Sequence, residues 1–109
     1  MPINYKVLGQ SNPAATTATT LYTVPASTQT VVSTISVCNQ AASSGTYRIA
    51  IRPSGAALTT SQYIAYDSAI AANNSTMITI GVTLNAIDVI TVYASSATMS
   101  FSAFGSEIS

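Results

Sequence analysis

Apolar and polar residues alternate with period two in short runs, separated by Gly, Pro, Asn and Ser clusters. That pattern predicts strands joined by turns. Tyr5–Leu8 reads as a short first strand closed by Gly9, and the Ser11–Thr20 stretch (SNPAATTATT) as an extended surface segment. Leu21–Val24 is stopped by Pro25. Thr30–Cys38 places Val31, Ile35 and Val37 on one side, with Thr34 and Ser36 on the other. Thr46–Arg52 alternates most sharply, with Tyr47, Ile49 and Ile51 opposite Thr46, Arg48, Ala50 and Arg52. Gln62–Tyr66 follows, then Ser75–Val82, with Thr76, Ile78, Ile80 and Val82 on one face. Asp88–Ala94 is apolar on both faces, as a central strand would be, and Met99–Phe104 ends at Gly105.

Eight short strands without long crossovers predict an all-β chain: a single antiparallel β-sandwich of jelly-roll type. Residues 1–20 are expected to form an extended N-terminal arm containing the short first strand, and residues 21–109 the sandwich domain. Composition agrees. Ile, Val and Thr supply 35 of 109 residues, and Leu only four. β-Branched side chains are stiff at χ1 and suit a pleated sheet. The longest uninterrupted apolar runs are four residues, far short of the roughly 20 that span a bilayer. The first dozen residues hold no apolar core of a signal peptide, so no targeting segment is expected.

Charge narrows the chemistry. Charged residues are 6% of the chain, three basic and three acidic, with no His; an ordinary soluble domain carries roughly 25%. Acid–base or nucleophilic catalysis needs a titratable base beside a nucleophile or second acid. The only carboxylates are Asp67, Asp88 and Glu107, each about twenty residues from the next. No Ser lies in a Gly-x-Ser-x-Gly elbow, and no Cys/His cluster or Asp-x-Asp calcium loop occurs. The expectation is therefore no enzyme, no catalytic residues, no cofactor and no metal. Three positive charges make no basic stripe, so neither nucleic acid nor an anionic membrane is an expected partner. Cys38 stands alone in TISVC, the setting of an inert core thiol.

Interaction remains. Ala, Ser and Thr make up 49 of 109 residues. A surface of such small side chains loses little rotamer entropy on burial, which suits a subunit of a larger assembly. Arg48 and Arg52 project from one strand face, roughly 13 Å apart. Two readings stand: they keep an exposed edge strand soluble, or they pair with Asp67, Asp88 or Glu107 of a neighbouring copy. Phe101 and Phe104 fall on opposite faces of the last strand, leaving one to seal a contact. Sugar binding ranks low, because Trp is absent and Tyr63 and Tyr66 point to opposite faces of a regular strand, which denies them a shared platform.

The opening NYKVLGQSNPAATTATTLYTVPASTQTVVSTISVCNQ, the middle YIAYDSAI and TITIGVTLNAIDVITVYASS, and the close SFSAFGSEIS resemble small virion structural proteins of tailed bacteriophages, especially cyanophages. The resemblance spans nearly the whole chain, and its most specific parts are Tyr-Lys-Val-Leu-Gly-Gln and Phe-Gly-Ser-Glu-Ile. It implies a β-sandwich particle component in repeated copies, a trimer at the capsid surface, and no active site. The leading expectation is a capsid decoration (cement) protein. It would bind the major capsid protein as a homotrimer and be assembled into the virion in the host bacterial cytoplasm. A neck, tail or fibre component is the alternative, and a carbohydrate-binding module a third. Lys6, Arg48, Arg52 and Phe104 are the residues expected at a subunit or capsid interface.

Overall fold

The computed structural model describes residues 3–109. Eight strands follow in order: β1 (Ile3–Ser11), β2 (Thr19–Thr23), β3 (Gln29–Asn39), β4 (Gly45–Arg52), β5 (Tyr63–Ile70), β6 (Ser75–Leu84), β7 (Val89–Ala94) and β8 (Met99–Ile108). They form two four-stranded antiparallel sheets, β1-β8-β3-β6 (sheet A) and β2-β7-β4-β5 (sheet B). First pairs with last, second with seventh, third with sixth and fourth with fifth. The chain is thus a long hairpin turning between β4 and β5 and rolled so that alternate pairs fall in opposite sheets. That is the jelly-roll order, and the fold is the antiparallel sandwich the alternation predicts.

The core lies between the sheets. Val32, Ile35, Val37, Phe101 and Ala103 of sheet A face Ile49, Ile90, Val92 and Ala94 of sheet B, all fully buried. Phe101 and Tyr47 meet edge to face across the gap, ring centroids 6.3 Å apart. The polar exceptions are satisfied: buried Asn39 donates to the Ser43 and Ala71 carbonyls and accepts from the Ala41 amide, pinning the turns beside it.

Bulges account for the places where simple alternation fails. In β3 the register slips between Val32 and Thr34. Val32 rather than Val31 therefore enters the core, and Val31 lies opposite Ser106 and Thr83 on the outer surface. Cys38 is likewise outside the core, half-buried between Ser75 and Ser100 on that surface. Gly105 does not end β8. The strand continues to Ile108, and Gly105 lets β3 pass so close there that a Cβ would overlap the Val31 carbonyl oxygen. Of the segment read as an arm, residues 3–11 form an edge strand of sheet A along its full length, longer than the expected Tyr5–Leu8; Met1 and Pro2 lie outside the described residues.

Candidate functional site

Side chains opposed in register share a face, which fixes what each sheet shows to solvent. On sheet A the outward rows run Tyr5–Ser106–Val31–Thr83, then Val7–Phe104–Thr34–Thr79, then Gln10–Ser102–Ser36–Met77. No row contains a charged side chain. Tyr5 is 83% exposed and Met77 65%, with Ile3 and Val7 about half exposed and Phe104 half-buried among them.

The edge strand β1 is inverted with respect to its own pattern. Ile3, Tyr5 and Val7 alternate with Asn4 and Lys6, and a half-buried strand would turn the apolar set inward. Instead Asn4 and Lys6 oppose Glu107 and Gly105 on the core side, and the apolar residues face out. Lys6 Nζ lies 2.9 Å from Glu107 Oε1. The Tyr22 hydroxyl donates to Glu107 Oε2 at 2.5 Å and accepts from Thr30 at 2.8 Å. The four residues close the seam between β1, β8, β3 and β2. The Tyr22 hydrogen bond, reinforced by Lys6, holds the Glu107 carboxyl below its usual range. Burial and the carboxylate together push Tyr22 up to about 12.

Sheet B presents the opposite character. Arg48 Nε and Nη2 donate to Asp67 Oδ1 and Oδ2 at 2.7 and 3.2 Å, a bidentate fork that draws the Asp67 carboxyl below its ordinary value. The guanidinium carbon lies 4.2 Å from the ring centroids of both Tyr66 and Tyr93. Arg52 donates to the carbonyls of Ala56 (2.7 Å) and Gly55 (3.1 Å) and, at 3.4 Å, to the Thr91 hydroxyl, fastening the turn after β4. Asp88 accepts from the Ser54 and Asn85 amides, both at 2.8 Å.

Two readings of the arginines therefore change. Strand β4 is interior, between β7 and β5, so they do not protect an edge. The carboxylate of Arg48 comes from its own chain, and Arg52 is held by its own turn. Among the described residues, all six charged side chains are engaged within the chain. The structure does not bring Lys6, Arg48, Arg52 and Phe104 together: the arginines lie on sheet B, Phe104 on the outer face of sheet A, and Lys6 at the seam.

The tyrosines correct the sequence reading most. Tyr63 and Tyr66 meet edge to face, centroids 4.9 Å apart at 74°. Two register slips in β5 bring them together. Tyr63 opposes outward Ala50, Ala65 opposes inward Ile49, and Ser68 opposes Tyr47, so the face resets between each pair. Asp67, at φ 49°, carries the second slip, a left-handed conformation that Asp tolerates better than most side chains. Only the left-handed turn propensity of Asp hints at this in the sequence; nothing there places a bulge. No protein-family model matches the chain, and neither a curated protein nor a solved structure resembles it significantly.

Proposed function

We propose that this chain is a non-enzymatic structural protein of a phage virion, a capsid decoration protein that associates with its own copies and with the shell through the outer face of sheet A. The observation that carries the reading is the start of β1, where Ile3, Tyr5 and Val7 lie on the outer face while Lys6, itself about half exposed, reaches Glu107 from the opposite side of the strand. Turning Ile3, Tyr5 and Val7 to water forfeits hydrophobic burial unless another surface covers them. The surrounding rows of Ser, Thr and Val bring no charge to desolvate and little side-chain entropy to lose. The resemblance to small phage virion proteins supplies the class of partner, a homotrimer docked on major capsid protein.

Light scattering of the purified 11.2 kDa chain tests the association. The expected result is a trimer that persists at high salt, because the contact is apolar and the charged groups are satisfied internally. Tyr5→Lys combined with Val7→Lys should return a monomer with an unchanged fold. A wild-type monomer at every concentration removes self-association from the reading. Copy number in purified virions separates the sites in the particle: hundreds per particle mark a decoration protein, a few mark a neck, tail or fibre component.

A further inference from the structure

Strand β5 is an edge of sheet B, yet its edge is unsuited to strand addition. Its two slips and the left-handed Asp67 break the straight row of backbone groups that an incoming peptide would need. The same irregularity builds a corner. The rings of Tyr63 and Tyr66, at 74°, form two walls of an open cleft of about 460 Å³, with Thr60 as the third lining residue. Tyr66 is 56% exposed although it is held in place, stacked against Arg48 and braced by Tyr63. Residues in sparsely populated backbone conformations cluster at ligand sites, where the surrounding structure maintains them.

The chemistry of the corner selects its ligand. Arg48 and Asp67 neutralise each other, so no net charge recruits an anion or a cation. Their fork leaves Arg48 Nη1 uncommitted to the carboxylate, and each Asp67 oxygen keeps a further lone pair. Aromatic walls with donors and acceptors at the rim complement a molecule that has one apolar C–H face and a girdle of hydroxyls. We infer that the Tyr63–Tyr66 corner, with Thr60 as its third lining residue and the Arg48–Asp67 pair behind Tyr66, is a binding site for a neutral pyranose. The sugar ring lies against a tyrosine face while its hydroxyls meet the hydroxyls of Thr60 and the two tyrosines. The site is independent of the capsid reading, since it lies on the sheet opposite the face assigned to assembly.

Residue-resolved NMR titration of the full chain tests it. The probes are methyl glucopyranosides, galactopyranosides and mannopyranosides, with sodium glucuronate as the acidic comparison. At least one neutral glycoside should shift β5 amides and the Arg48 Nε–H saturably. Tyr66→Ala should weaken that binding by about tenfold or more. Thr60→Val, at the rim and outside the packed core, should weaken it less and serves if Tyr66→Ala disturbs the fold. The inference is overturned by the absence of saturable shifts with every neutral glycoside, by response to glucuronate alone, or by undiminished binding in both variants.

Discussion

The outer faces of the two sheets are built from the same strand pattern and end with opposite surfaces. Sheet B carries both arginines and Asp67, each tied down by hydrogen bonds, with Arg48 flanked by the Tyr66 and Tyr93 rings. Sheet A carries no charge in its outward rows and exposes Ile3, Tyr5, Val7 and Met77. A chain with six charged residues cannot solvate both faces. Concentrating its ions on one face and at the seam leaves the other able to meet a partner without stripping water from a charge. On the function proposed here that difference leaves sheet A for assembly, while sheet B holds compact, oriented polar groups.

The strongest way to break the comparison is through backbone packing. On sheet A, a methyl group at Gly105 meets the Val31 carbonyl and the Val32 backbone, neither of which yields without separating β3 from β8. On sheet B, a methyl group at Gly45 meets the end of the Met99 side chain and the Ser95 hydroxyl, which rotate aside. Gly105→Ala should therefore cost about 3 kcal/mol or more in a denaturant melt, and Gly45→Ala under about 1. Similar losses would mean the two sheets tolerate crowding alike.

The seam sharpens the comparison next, because it joins the sheets. Tyr22→Phe removes the hydroxyl that bonds Glu107 and Thr30 and should cost about 1.5 kcal/mol. Its pH signature has two limbs. The folded Glu107 pKa is depressed, so its contribution is present above the ordinary value of 4.5 and lost as pH falls toward the folded value. The folded Tyr22 pKa is raised from 10.0 to about 12, so its contribution is complete below 10 and lost as pH rises through 12. Tyr22→Phe should abolish the alkaline limb and flatten the acid one. Asp67→Asn should alter only the acid limb, since Arg48 draws that carboxyl down and no tyrosine proton is involved. An intact alkaline limb in Tyr22→Phe would place it elsewhere.

How much of this is legible in the sequence follows from where the chain is regular. Strand β4 pairs with an unbroken neighbour in β7, and its predicted faces, Tyr47, Ile49 and Ile51 against Arg48 and Arg52, are those observed. Strand β7 carries apolar residues on both faces, and it is interior. Parity fails where an extra residue enters, at Ser33 and twice in β5, and there the sequence misplaces Val31, Tyr63 and Tyr66; Cys38 keeps the parity of Thr34 and Ser36, and only its reading as a core thiol fails. A bulge is set by the partner strand's path, which composition does not encode. Strand β1 fails differently: its alternation is clear, but alternation does not say which side is water. The Lys6–Glu107 pair, separated by about a hundred residues of chain, fixes that choice.

The smallest effects on stability separate the two faces most cleanly. Tyr5 and Tyr66 are both exposed tyrosines on edge strands, one on each sheet. Tyr66 stacks on Arg48 and against Tyr63, so Tyr66→Ala should lose about 1 kcal/mol. No aromatic or cationic partner within the chain stacks on Tyr5, as far as the described residues go, so Tyr5→Ala should change monomer stability by under about 0.5 kcal/mol. Solution mass should reverse the order: Tyr5→Ala shifts the oligomer toward monomer, and Tyr66→Ala leaves it intact. A tyrosine that contributes nothing within its own chain but governs association is one whose contacts lie in another molecule. If Tyr66→Ala instead dissolved the oligomer, the assembly surface would belong to sheet B, and the uncharged face of sheet A would need a different occupant.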